Sequence, residues 1–410
     1  MPVEQSEKAR ELTQQVEAFM YEHVFPAEPV FHEQMSKAAD RWTYMPVMRE
    51  LRAKAKAAGL WMFPLPENLG GRGLDLIDYA PICELMNMSQ IGTEVFHCYS
   101  GTISNALVLD QFGSEAIKER YLKPLVAGDA RTSISITERE VPSSDPTDLK
   151  FPIKRDGNEF VLNGRKAWAT GAIMKECDAI LVLGCTNPDA PRHSRHSLVI
   201  VPRASKGLSF GRIDTILGFD HAPFGHVDLI FDNVRVPVEN LLGAEGTGFA
   251  MMQTTLGFGR VQLGMGSVGA AERALAEMCS WVEKRIIGGK PLVERGVVID
   301  AIARSRIEIE QARRHVLHTA WLLQTKGPKA ARSEISQAKV LAPNMALQVL
   351  DRAIQFHGGA GLSFDTPLPE MFAYQRTVRI GEGADEVHRE LVAKLEIAKQ
   401  RETRARFGRN

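Results

Sequence analysis

EFVLNGRKAWATGA, residues 159–172, is the stretch that decides the fold class. Its opening apolar run is short and reads as a strand, and Asn163-Gly164 before RKAW is the strongest local hairpin signal in the chain. The same character extends to both sides. SISIT (133–137), AILVLGC (179–185), SLVIVP (197–202) and VDLIFDNVRVP (227–237) are short, rich in strand-forming residues and bounded by Gly, Pro, Asn or Asp. No helical pattern separates them, which predicts an antiparallel β-barrel or sandwich instead of a parallel sheet.

Outside this region the periodicity is helical. Met45, Met48, Leu51 and Ala55 recur at three- and four-residue spacing, and FPLPENLGGRGLD (63–75) interrupts the pattern as a long turn. After Asn240, LLGAEGTGFAMM reads as a return to helix. Further on, Val298, Ile302, Ser305, Ile309, Ala312, Val316, Ala320 and Leu323 form a stripe suited to a core or a helix–helix interface. The chain is therefore expected to be α+β in three parts: a helical domain over 1–130, a β domain over 131–240 and a helical domain over 241–410.

The chain has 50 basic and 50 acidic residues and a formal net charge of zero, which argues against nucleic acid as the main partner. No run approaches the length of a membrane span, so no stable membrane insertion is expected. Five cysteines without a C-x-x-C pair suggest neither a metal site nor a disulfide framework and fit a reducing cytoplasm. The charged N-terminus lacks the pattern of a signal or transit peptide. No G-x-G-x-x-G follows a strand and opens a helix, and the phosphate-loop pattern G-x-x-x-x-G-K-[ST] is absent.

Two features carry chemistry. In QFHGGAGLSFDTPLPEMFAYQRTVRIGEGADEVH (355–388), Glu382 sits between Gly381 and Gly383, and Gly358, Gly359 and Gly361 allow close approach to the main chain, so Glu382 is a candidate base. In the β region, Trp168 and Thr170, with Thr137 and Ser144 of SITEREVPSSD, supply the aromatic wall and short donors that a planar cofactor needs. Arg285 could pair with a pyrophosphate, and Arg192, His193, Arg195 and His196 could meet phosphates or form a solvated loop.

SITEREVPSSD, VLNGRKAWATGA, VRVPVENLLGAEGTGF, GFGRVQLGMGSVGAAERAL, QFHGGAG and RIGEGADEVH together resemble the acyl-CoA dehydrogenase family across nearly the whole chain. The last two, with RHSRHSLVIVP and FGRIDTILGFDHAPFGHV, are similar to the branch containing vertebrate family members ten and eleven. The resemblance implies an N-terminal helical domain, a middle β domain and a C-terminal four-helix bundle, with FAD bound at the interface of a homo-oligomer, a dimer or tetramer. It also implies conversion of an acyl-CoA to a trans-2-enoyl-CoA in fatty-acid oxidation, with electrons passed to an electron-transfer flavoprotein. Glu382 matches the base that takes the α-proton, and its backbone N–H one of the donors to the thioester oxygen. Thr137 and Thr170 match contacts to the isoalloxazine edge, Trp168 the aromatic beside the flavin, and Ser144 a pyrophosphate contact that also reaches substrate. Arg285, Gln355, Gly358 and Gly359 match residues that reach a neighbouring subunit's FAD, and Arg260 an arginine at the reacting end of the cleft.

The sequence departs from the family pattern at Gly381 in place of Tyr, Ala384 in place of Thr and Gly288 in place of Phe. Some members take their base from a position matching Gly259, which has no side chain to act. Two other readings share the scaffold: a flavin oxidase or monooxygenase, and a flavin-binding assembly protein without chemistry.

Overall fold

A computed structural model describes residues 4–407, which divide into two compact units. One unit joins residues 74–93 and 257–407 with the N-terminal helix, and the other comprises residues 23–73 and 94–256.

The first unit is helical. Its core is built by the helices Gly248–Lys284, from Gly257 onward, Gly296–Ala330, Arg332–His357 and Leu368–Val378. Val268, Ala271, Met278, Val298, Ile309, Ala346, Val349, Leu350 and Leu368 meet there. The expected stripe is the buried face of Gly296–Ala330: Val298, Ser305, Ile309, Ala312, Val316 and Ala320 are buried, and Ile302 and Leu323 partly so. That helix breaks at Gly327, where φ is 80° and Pro328 follows. Small residues set the helix spacing. A Cβ on Gly264 would meet Val316 at 3.1 Å, and one on Gly269 would lie 2.1 Å from the Glu84 carbonyl oxygen of helix Leu76–Met86. The glycines at 264, 266 and 269 thus lie inside a helix and serve packing.

The second unit centres on eight strands: β1 (Arg131–Ser135), β2 (Ile153–Asp156), β3 (Glu159–Thr170), β4 (Cys177–Cys185), β5 (His196–Pro202), β6 (Leu208–Asp214), β7 (His226–Pro237) and β8 (Leu241–Leu242). They form two four-stranded sheets, ordered β1-β4-β5-β8 and β2-β3-β7-β6. A Cβ on Gly184 of β4 would lie 2.6 Å from Ile153 of β2, so the sheets pack closely on each other. All pairings are antiparallel except β1 with β4. A parallel pair needs a long crossover, and residues 136–176 supply it by passing through the other sheet as β2 and β3. β4 and β5 are buried along almost their whole length, which explains their continuous apolar sequence. Asn105 of helix Ser100–Phe112 donates to the Thr132 carbonyl at 3.2 Å, tying that helix to β1.

Two local expectations need correction. Asn163-Gly164 is not a hairpin: β3 runs straight through it, and the pairing of β3 with β7 shifts register between Leu162 and Gly164. Gly164 has φ 131° and the Asn163 side chain accepts from the Asn233 N–H at 2.7 Å, so the pair forms a bulge. The hairpin lies earlier, where Asp156 pairs with Glu159 across Gly157-Asn158. Residues 241–247 are also not helical. Leu241–Leu242 pair with β5 as β8, and the helix starts at Gly248. β2 and β6 were not evident from the sequence, since their exposed charged and glycine positions dilute the strand pattern.

Candidate active site

Glu382 lies in the turn between helices Leu368–Val378 and Asp385–Arg406, in the left-handed region at φ 55°. A side-chain-bearing residue stays there only where its surroundings hold it. Here the holding is done through main-chain oxygens. Arg260 donates from Nε and Nη2 to the Glu382 carbonyl, both at 3.3 Å, and His388 Nε2 approaches the same oxygen at 3.4 Å. Lys339 Nζ donates to the carbonyls of Val378 at 2.5 Å and Gly383 at 3.0 Å. Asp385 receives Arg379 at 2.8 Å and Asn344 at 3.0 Å, closing the turn from its other side.

The space around the carboxylate comes from missing side chains. A Cβ on Gly259 would lie 3.1 Å from Glu382 Oε2 and 3.4 Å from Oε1, so the missing side chain at 259 makes room for the carboxylate. Gly383, at φ 102°, admits the His388 ring, whose Nε2 would lie 2.7 Å from a Cβ there.

Burial shapes the titration of these groups. It lowers the Lys339 ammonium to about 8 against the opposing pull of Glu382 and Asp385, and it lowers His388 to about 4. Burial also lowers Arg260, with Glu382 acting against the shift. The Tyr374 phenol is pushed up to about 12 by burial and then by Glu382. A neutral His388 is consistent with its ring bridging Ser336 Oγ at 3.1 Å and the Glu382 carbonyl.

The other expected residues fall into two groups. In the β unit, Thr137 accepts at its carbonyl from Ala167 N–H at 2.8 Å, which brings it beside Trp168 and Thr170. Trp168 has φ 56° and is 40% exposed between Ala167 and Ala169, which are 1% and 0% exposed. A partly exposed aromatic ring with two threonines close by suits the lining of a planar cofactor site. Ser144 is exposed, in a loop pinned by its neighbours. Glu138 accepts from Lys166 Nζ and from the N–H groups of Lys150 and Phe151, each at 2.9 Å. Arg139 forks to Asp228 and also bonds Asp214.

In the helical unit, Arg285 lies over Trp281 at 5.9 Å, and Trp281 stacks on His357 at 4.7 Å. Gln355, Gly358 and Gly359 follow on the same chain end and are exposed, and a Cβ on either glycine would meet nothing within 4 Å. Arg192 bonds Thr147 Oγ1 and Asp145, both at 2.5 Å, and His196 is fully buried against the Leu149 carbonyl. Arg192 thus secures a loop with its guanidinium already engaged, and Arg195 donates to the Ala190 carbonyl at 3.0 Å.

Sequence reading missed Lys339, His388, Glu138 and the pair His221 and His226. Lys339 left a readable signal: it interrupts the apolar spacing Ile335, Ala342, Ala346 on one helix face and is 0% exposed. The histidines left none: His221 and His226 are only five residues apart and His388 six from Glu382, but a lone histidine in a loop or on a helix face carries no spacing that marks it as buried.

Comparison with known proteins points one way. Domain models match in order: acyl-CoA dehydrogenase N-terminal domain over residues 6–129, middle domain over 133–234 and C-terminal domain over 246–396. FadE2 of Mycobacterium tuberculosis, assigned as an acyl-CoA dehydrogenase, is 42% identical over 402 residues, covering 97% of each chain. Mouse acyl-CoA dehydrogenase family member 10 is 41% identical over 96% of this chain, which spans only 37% of that protein. A solved Mycobacterium abscessus structure assigned to the same enzymes matches with TM-score 0.93 and 42% identity, covering 97% of this chain and 100% of that one. A Mycobacterium smegmatis glutaryl-CoA dehydrogenase in complex with FADH2 shares the fold at TM-score 0.80 and 22% identity, covering 95% and 94% of the two chains. The chain belongs to the acyl-CoA dehydrogenase family, oxidoreductases that act on acyl-CoA.

Proposed function

We propose that this chain carries out FAD-dependent α,β-dehydrogenation of an acyl-CoA to a trans-2-enoyl-CoA within fatty-acid oxidation, with Glu382 as the base. The observation that carries the reading is the left-handed Glu382, its carbonyl held by Arg260 and its carboxylate over Gly259. Glu382 takes the α-proton, and its backbone N–H donates to the thioester oxygen, where enolate charge develops. Arg260 keeps that N–H and the carboxylate in one geometry by fixing the peptide that follows them. FAD, when bound, supplies the acceptor for the β-hydride. Thr137, Trp168 and Thr170 hold the isoalloxazine edge, Ser144 the pyrophosphate and substrate, and Arg285, Gln355, Gly358 and Gly359 the FAD of a second copy. The functional division follows 1–130, 131–240 and 241–410. The assembly is a homo-oligomer, a dimer or tetramer, that passes electrons to an electron-transfer flavoprotein, and the five free cysteines fit the cytoplasm.

The test is anaerobic addition of acyl-CoAs differing in length and substitution to the FAD-loaded protein, followed by visible absorption. One substrate class should bleach the wild type. Glu382→Gln should keep FAD and slow bleaching by about 10²–10⁴-fold, the usual worth of a positioned base. Unchanged bleaching in that variant would remove Glu382 from the role. An FAD protein inert to every acyl-CoA would fail the dehydrogenase reading, and rapid reoxidation in air without an added acceptor would favour an oxidase.

A further inference from the structure

The β unit contains a hydrogen-bonded chain whose two histidines the proposed reaction leaves unused. Thr170 Oγ1 lies 2.9 Å from His226 Nδ1, and His226 Nε2 lies 3.0 Å from His221 Nδ1. The Thr170 carbonyl is fixed separately by the Ser133 hydroxyl at 2.8 Å, so the side chain is free to serve the histidines and a ligand. His226 is 5% exposed and its ring centroid lies 5.5 Å from that of Trp168, the open aromatic of the same site. Burial pushes His226 down to about 4 and His221 to about 3. Asp214 lies opposite His226 in the β6–β7 register and pulls its pKa up, but Arg139 and Arg212 engage that carboxylate.

Two neutral imidazoles in series have only two consistent proton arrangements, because each ring has one donor and one acceptor nitrogen. In one, Thr170 spends its proton on His226 Nδ1 and presents only lone pairs outward. In the other, His226 Nδ1–H donates to Thr170 Oγ1, His221 Nδ1–H donates to His226 Nε2, and the Thr170 proton points to the ligand. The exposed edge of an oxidised isoalloxazine offers acceptors, which selects the second arrangement.

Resting on the flavin reading above, we infer that His226, backed by His221, is a positioning residue that fixes the tautomer chain so that Thr170 donates its hydroxyl proton to the flavin edge. The inference assigns a role to two residues that touch neither substrate nor cofactor. No proton is transferred to the ligand; the pair sets the direction of a hydrogen bond.

The experiment compares full-length wild type with His226→Phe, His226→Asn, Thr170→Val and the double variant His226→Phe/Thr170→Val. FAD dissociation constants and the visible flavin band of the oxidised protein are measured for each. Thr170→Val and His226→Phe should shift the band in the same direction and weaken FAD about five- to tenfold, the worth of one lost hydrogen bond. The double variant should be no worse than Thr170→Val. His226→Asn should restore the band, because its amide nitrogen can donate where Nδ1 does. If His226→Phe does not fold, His221→Phe replaces it, with ¹⁵N shifts of His226 reporting its tautomer: Nδ1–H in the FAD-loaded wild type, mixed in the variant. A wild-type band and affinity in the folded variant, additive effects, or an Nε2–H tautomer in the loaded wild type would overturn the inference. A wild type that takes up no FAD would overturn the flavin reading as well, so the two failures are distinguishable.

Discussion

Lys339 is an ammonium at 0% exposure whose two nearest acceptors are the backbone carbonyls of Val378 and Gly383, which bracket the Glu382 turn. A buried charge spent on two carbonyls costs desolvation, and here it returns a fixed main-chain path. Lys339→Met keeps much of the volume and removes both donors. Each bond from a charged group is worth about 1.5–3 kcal/mol, so the turn should loosen while the helix around it persists. Because misplacing a catalytic group by about 1 Å can cost about 10²-fold, flavin reduction by acyl-CoA should slow by about 10–100-fold in this variant. KM should change little, as the lysine acts on the position of the proposed base and not on the ground-state complex. Stopped-flow reduction of a variant with wild-type circular dichroism decides it, and full-speed reduction would confine Lys339 to stability. The interrupted apolar spacing marks Lys339 in the sequence but not its role, because a lysine on a helix face ordinarily reads as solvated and its acceptors lie 39 and 44 residues downstream.

Among the elements, the long helices were legible and the strands only in part. The stripe from Val298 to Leu323 repeats at helical spacing and buries as expected, since one helix face meets one core. Asn163-Gly164 misled because a hairpin and a bulge both reward a residue with positive φ, and the pairing partner that separates them, β7, is some 70 residues away. The Glu382 turn was legible for a comparable reason in reverse: glycines on both sides of a lone carboxylate are unusual enough to mark the place, although the residues that hold it come from two other helices. Glycines on the helix Gly248–Lys284 give a paired test of packing against propensity. A Cβ at position 269 would lie 2.1 Å from the Glu84 carbonyl oxygen and 3.0 Å from its carbon, so helix Leu76–Met86 would have to move. Gly269→Ala should destabilise by about 1–3 kcal/mol, as overpacking does. At position 257 a Cβ would find Leu323 at 3.4 Å and Ile335 at 3.7 Å, which is ordinary contact. Gly257→Ala should therefore gain up to about 1 kcal/mol from helix propensity. Urea midpoints of the two variants should move in opposite directions, and a shift of the same sign in both would refute the close-packing account.

Across the whole molecule, the balanced count of 50 acidic and 50 basic residues conceals which charges and rings are buried. His97, His226 and His388 are 0%, 5% and 3% exposed, and burial lowers each to about 4. At His97 the neutral form follows from geometry. Nε2 lies 2.7 Å from the Leu125 carbonyl and must donate, so Nδ1, 3.1 Å from an Arg52 guanidinium nitrogen, must accept. Protonating that ring would aim a donor at a donor. In the unfolded chain these rings titrate near about 6.5, so between about 6.5 and 4 the unfolded state binds protons that the folded state refuses. Stability is therefore complete above about 6.5 and falls as the pH drops, by up to about 1.4 kcal/mol per pH unit for each such ring. Glu94 adds to the loss at lower pH: burial would raise its pKa, but Arg131 and Arg52 hold it far below the usual carboxylate range. The urea midpoint should accordingly fall between pH 7 and pH 5. His97→Gln offers an amide that can donate to one neighbour and accept from the other without titrating, so it should lower stability at pH 7 yet reduce the drop to pH 5. An equal drop in wild type and His97→Gln would show that the acid sensitivity lies outside this ring, and a midpoint that does not move between the two pH values would contradict the neutral burial of all three.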